Sequence, residues 1–206
     1  EISCSLVGSE MCIRDRDTIM TNMQEMLGSM GEGEEGIATN VDIVFVIDAT
    51  RSMQTTIDMV KESALSFQDK LYDFMDEAKR SINNLRIKVV WFRDFYYDGN
   101  YAYDESKFFE LPEEKEEFRD FVNGIHEAGG GDDPESGLEA LTMAMRSDFV
   151  QEGAKKRHII VLFTDAAAHP FEDYDELTAE AAKKGCKPTM YPKNMPKNIS
   201  EFYNAW

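Results

Sequence analysis

The sequence predicts an α/β fold built on a doubly wound, mostly parallel sheet, and three features predict it. Residues 41–47 (Val-Asp-Ile-Val-Phe-Val-Ile) form a nearly unbroken apolar run rich in β-branched and aromatic side chains, the pattern of a central strand buried on both faces. Residues 158–164 (His-Ile-Ile-Val-Leu-Phe-Thr) repeat that pattern. Around these runs, apolar residues recur at three and four positions. Strands therefore alternate with helices, as in Rossmann-like sheets flanked by helices.

The elements follow in order. Residues 1–16 fit nothing downstream and resemble translated sequencing-adaptor read-through, so they are set apart as a non-native tail. Residues 17–39 hold Met20, Met23, Met26 and Met30, read as a short amphipathic helix, and the acidic glycine linker 31–36. The domain spans residues 40–206. After the first strand, Ile57, Val60, Ala64, Phe67, Leu71 and Phe74 mark one face of a helix over about residues 53–78. Residues 85–95 are the second strand, and Arg86 and Lys88 among its apolar residues predict a wetter face near an edge. Residues 96–103 read as a loop and 107–111 as a short antiparallel edge strand. Phe118, Phe121, Val122 and Ile125 define the next helix, and Leu138, Leu141 and Met145 another. After the strand at 158–164 come a helix near 172–184, Pro188, Pro192 and Pro196, and a helical start at 199–206. A sheet of this kind ordinarily continues with a further strand, so the domain is expected to be incomplete at its C-terminal end.

Charge narrows the partners. The 206 residues carry 40 acidic against 22 basic side chains, a net charge of −18. Nucleic acid and anionic membranes need concentrated Lys and Arg and are poor partners for such a chain. Since no run of about 18 apolar residues exists, membrane insertion is not expected either. Cys4, Cys12 and Cys186 show neither metal-ligand spacing nor a paired framework. That fits a reducing, cytoplasmic setting, with secretion as the open alternative because the first residues read as non-native.

Three segments carry the chemistry. Asp48-Ala-Thr-Arg-Ser52 follows the first strand, Gly129-Gly-Gly-Asp-Asp-Pro-Glu135 precedes a helix, and Asp165-Ala-Ala-Ala-His-Pro170 follows the later strand. Parallel strands put the first and third at one edge of the sheet, where open α/β folds bind ligands. Asp48, Thr50 and Ser52 present a carboxylate and two hydroxyls at alternate positions, hard oxygens of the kind magnesium prefers. Taken singly, each Asp also fits a helix cap and the glycines a tight turn. Together they predict a divalent-metal site.

The segments Asp48-Ala-Thr-Arg-Ser-Met53, Gly129-Gly-Gly-Asp-Asp-Pro-Glu135 and Asp165-Ala-Ala-Ala-His169 resemble those of the von Willebrand factor type A domain, in its bacterial and protist forms. The resemblance covers about residues 40–206. It implies a metal-ion-dependent adhesion site in which Thr50 and Ser52 bind the ion directly and Asp48 commonly through water, with Asp132 and Asp165 completing the protein's share. The implied ion is Mg2+, with Mn2+ or Ca2+ as alternatives. The implied partner is a protein whose carboxylate fills the last position. Two departures matter: Arg51 replaces a glycine and Asp132 a threonine. The second adds negative charge that could satisfy the ion without a partner's acid.

Arg51 is read as a solvated arginine before a carboxylate clamp. Asp94 is at most a hydrogen-bond acceptor behind the site, otherwise a loop-capping group. His169 reads as structural, with His126 and His158 more peripheral. The leading expectation is a protein-interaction domain and not an enzyme: no Ser/His/Asp arrangement, P-loop or dinucleotide loop is evident. Two alternatives stand beside it. One is metal-dependent phosphoryl transfer or hydrolysis through Asp48, which lacks a second acid because Thr50 occupies that place. The other is a degenerate scaffold without metal.

Overall fold

The computed structural model describes residues 2–6, 9–13, 39–77, 82–131 and 134–206. The Met-rich stretch and acidic linker lie outside the described residues, as does Asp132. Seven strands are present among the described residues: β1 (Ile2–Leu6), β2 (Ser9–Ile13), β3 (Thr39–Asp48), β4 (Ile82–Phe92), β5 (Tyr103–Glu105), β6 (Phe109–Leu111) and β7 (Lys155–Thr164). The helices are α1 (Ile57–Glu77), α2 (Lys115–Asn123), α3 (Gly137–Met145), α4 (Tyr174–Lys183) and α5 (Ile199–Ala205).

The strands form one mixed sheet in the order β2-β1-β7-β3-β4-β5, with β6 also on β4. The long central strands are parallel. β3 lies between β4 and β7, with Phe45 opposite both Val89 and Val161. Parallel neighbours on both sides and helices on both faces bury the whole apolar run, as its composition predicts.

Alternation divides that run between two cores. Ile43, Phe45 and Ile47 face α1 and α2, where Phe45 packs edge-on against Phe67. Val44 and Val46 face α3 and α5, meeting Ala140, Ala144 and Phe202. Asp42 interrupts the apolar pattern yet is buried. Its carboxylate accepts two hydrogen bonds from Arg86, at 2.8 and 2.6 Å, and one from the Val150 backbone N–H at 2.6 Å.

The expected wetter face of β4 is instead covered. Lys88 is buried and pairs with Glu105 at 2.9 Å, while the Arg86 guanidinium lies 4.6 Å from the Phe108 ring centroid. A cation can leave water when it is both paired and seated on an aromatic face. The antiparallel edge predicted at 107–111 is present at Phe109–Leu111. A second piece, Tyr103–Glu105, falls partly within the expected loop.

At the opposite edge, residues 3–6 of β1 pair antiparallel with residues 161–164 of β7, and β2 folds back on β1. Residues 2–6 and 9–13, within the stretch set apart as a tail, thus lie on the sheet. No helix among the described residues is long and apolar enough to cross a membrane.

Candidate functional site

Asp48 ends the central strand, and its carboxylate is wholly buried. Ala49 extends the strand by one more hydrogen bond, donating to the Phe92 carbonyl at 2.8 Å. Thr50 then stays extended before a 3₁₀ turn, Arg51–Thr55. This local path folds the Thr50 backbone N–H and hydroxyl onto Asp48 Oδ1, at 2.9 and 2.6 Å. Such a turn is what Asp favours two residues before an unpaired N–H.

From Asp48 a line of oxygens crosses the edge of the sheet. Thr164 Oγ1 donates to Asp48 Oδ2 at 2.7 Å. Thr50 Oγ1 lies 3.0 Å from Ser52 Oγ, and Ser52 Oγ donates to Asp165 Oδ1 at 2.9 Å. The first and third sequence motifs therefore meet, because β3 and β7 are parallel and in register at their ends.

Thr50 and Ser52 own one hydroxyl proton each. With both carboxylates ionised, these protons go to Asp48 and Asp165, and the two hydroxyl oxygens face each other 3.0 Å apart with lone pairs. A proton on either carboxyl would instead let one hydroxyl donate to the other.

Burial pushes the Asp48 carboxyl above its ordinary value, hydrogen bonds from Thr50 and Thr164 oppose this, and the nearby Asp165 charge adds to the rise. A cation would offset both the desolvation and the like-charge repulsion.

The glycine motif is drawn to the same place. Gly130 donates its backbone N–H to Asp98 Oδ2 at 3.0 Å, and Gly131 to Asp94 Oδ2 at 3.1 Å. Asp94 Oδ1 also accepts from the Tyr96 and Tyr97 backbones. Asp94 is thus the loop-capping group of the sequence reading, and it holds the glycine loop as well. A Cβ on Gly130 would lie 3.4 Å from Thr50 Cβ, so the loop passes directly against the oxygen line. Gly129, at φ +66°, leaves no room for a side chain beside the Asp98 carboxylate.

The end of the motif is tied to the Asp165 loop. The Glu135 backbone N–H donates to Ala167 O at 2.8 Å, and the His169 N–H to Glu135 O at 3.0 Å. His169 is buried edge-on against Tyr96, a structural placement. His158 donates from Nε2 to Val150 O at 2.8 Å and stacks on Phe149, away from these loops. Arg51 is exposed.

Asp48, Thr50, Ser52 and Asp165 are therefore brought together, whereas Asp132 lies outside the described residues. Among the described residues no group of three or more Asp, Glu, His or Cys is placed to hold a metal ion. The cluster instead consists of two carboxylates and the hydroxyls between them. Sequence reasoning missed Thr164 and Asp98. A hydroxyl immediately before Asp165 was the available signal for the first; Asp98-Gly99-Asn100 reads only as turn chemistry.

Residues 106–198 match the family model of the von Willebrand factor A domain. That stretch takes in the glycine and Asp165 motifs and leaves out Asp48, Thr50 and Ser52. The observed mixed sheet, mostly parallel and flanked by helices, agrees with the architecture expected of a von Willebrand factor A domain. No match was found among curated proteins. The chain is similar to a crystal structure of the pilus adhesin SpaC from Lactobacillus rhamnosus GG, with TM-score 0.44 and 16% identity over 63% of this chain. For its open conformation the TM-score is 0.40, at 15% identity over 56% of this chain. The matched regions span only 16% and 13% of the adhesin chains.

Proposed function

We propose that this chain is a protein-interaction domain that binds a divalent cation, Mg2+ by preference, at the carboxyl edge of its sheet. Thr50 and Ser52 would supply hydroxyl oxygens, with Asp48 and Asp165 the flanking charges and Asp132 a further carboxylate from the glycine loop. A carboxylate from the partner protein would complete the ion's shell. The observation that carries this reading is the convergence of the Thr50 and Ser52 hydroxyls, 3.0 Å apart, between the Asp48 and Asp165 carboxylates. Hard, compact oxygens favour Mg2+, with Mn2+ or Ca2+ as substitutes. In this role the bound ion would act as a bridge, and no group of this chain need undergo chemistry.

Magnesium-dependent melting tests the proposal. The expected result is a rise in Tm of the unaltered protein with added MgCl2, against an EDTA control, that disappears in Asp48→Ala. Ser52→Ala provides the same test at an exposed position if Asp48→Ala does not fold. Absence of any shift in the unaltered protein would overturn the metal reading in favour of a scaffold that works by shape. Phosphatase turnover that is lost in Asp48→Ala would favour an enzyme.

A further inference from the structure

Away from the oxygen line, residues 189–194 arch across one face of the domain and are fastened at both ends. Thr189 Oγ1 bonds Asn100 Oδ1 at 2.7 Å, and Arg146 donates to the Lys193 and Asn194 carbonyls at 2.7 and 2.8 Å. Beneath this arch, against β4 and the end of α3, is a cleft of about 640 Å3. That volume lies in the range of small-molecule sites.

Its lining is unusual for this chain. Lys88 reaches it from a strand face whose next members, Val90 and Phe92, are core. The Lys88 side chain is only 10% exposed, and Glu105 takes one of the three donors on its ammonium. Ser147 also lines the cleft, and its buried hydroxyl has no hydrogen-bond partner among the described residues. Lys88, Arg146 and Lys193 outnumber Glu105 and Asp148, so the lining is net positive in a chain of net charge −18. Met143, Met190 and Tyr191 provide an apolar wall.

We propose that this cleft is a second binding site, for a small carboxylic acid with an apolar body. The carboxylate would sit at the Lys88 ammonium and the Ser147 hydroxyl, and the body would lie against the two methionines and Tyr191. Glu105 occupies one of the three donors on Lys88, so an added carboxylate gains a charge-assisted bond from the donors that remain, in competition with Glu105 for the same charge.

The test uses the full chain in EDTA, which keeps the oxygen line free of metal and the two proposals separable. Binding of 3-phenylpropionate is compared with that of its neutral amide by NMR titration. The acid should perturb residues around 88, 143–148 and 189–193, and bind at least about tenfold more tightly than the amide. Lys88→Met should reduce acid binding to the level of the amide. Glu105→Gln, at a partly exposed position, frees the ammonium and should tighten acid binding severalfold. Equal binding of acid and amide, no binding of either, or indifference to the Glu105 substitution would overturn the assignment.

Discussion

Ser52 Oγ donates a hydrogen bond to Asp165 Oδ1 at 2.9 Å across 113 residues of sequence. The contact joins the loops after two parallel strands and closes the oxygen line that begins at Asp48. Its place at the rim lets its contribution be measured without opening the core.

Ser52→Ala removes one donor and one hydroxyl oxygen at an exposed position. In EDTA the substitution should cost less than about 1 kcal/mol by urea unfolding. The magnesium-induced rise in Tm should nonetheless fall by more than half. Equal losses with and without magnesium would mean that Ser52 serves the fold alone.

Gly129→Ala should destabilise by about 1–3 kcal/mol, because φ +66° strains any L side chain. The added Cβ would also meet the Asp98 carboxylate, displacing the group that holds Gly130. Thermal melting reads the first effect. A reduced magnesium response, even where the protein remains folded, would report the second.

Glu139 gives the domain a pH dependence near neutrality. Its buried carboxyl accepts from the Tyr96 hydroxyl at 3.1 Å, and burial pushes its pKa up from 4.5 to about 7. The folded state therefore holds this proton more tightly than the unfolded chain. Its contribution to stability is complete below pH 4.5, declines as pH rises from there to about 7, and is level above. Glu139→Gln should flatten this decline in urea midpoints measured from pH 4.5 to 8. An unchanged slope in the variant would place the dependence elsewhere.

Arg86→Met should destabilise by about 3–5 kcal/mol, since it strands the fully buried Asp42 carboxylate with only the Val150 N–H. Equilibrium unfolding in urea at pH 7 measures the loss, and a cost below about 1 kcal/mol would mean that the pair contributes no more than an exposed one.

Much of this architecture was legible in residue order. The apolar run before Asp48 specified a central strand, and the heptad-like spacing from Ile57 to Leu71 specified the helix that covers it. Arg86 and Lys88 misled for a physical reason: charge in a strand ordinarily means water, but here Asp42, Glu105 and Phe108 supply the partners. Those partners come from other elements, and no local pattern points to them.

The same division holds for the site. Alternation of oxygen-bearing residues after a buried strand singled out Asp48, Thr50 and Ser52, because strand burial and ligand placement at a sheet edge are local rules. Tertiary structure alone decided that Thr164 clamps Asp48, that Asp94 and Asp98 seat the glycine loop, and that the Thr50 and Ser52 hydroxyls line up between Asp48 and Asp165. Those are properties of parallel register and loop closure, which bring together groups separated by more of the chain than any short-range pattern can encode.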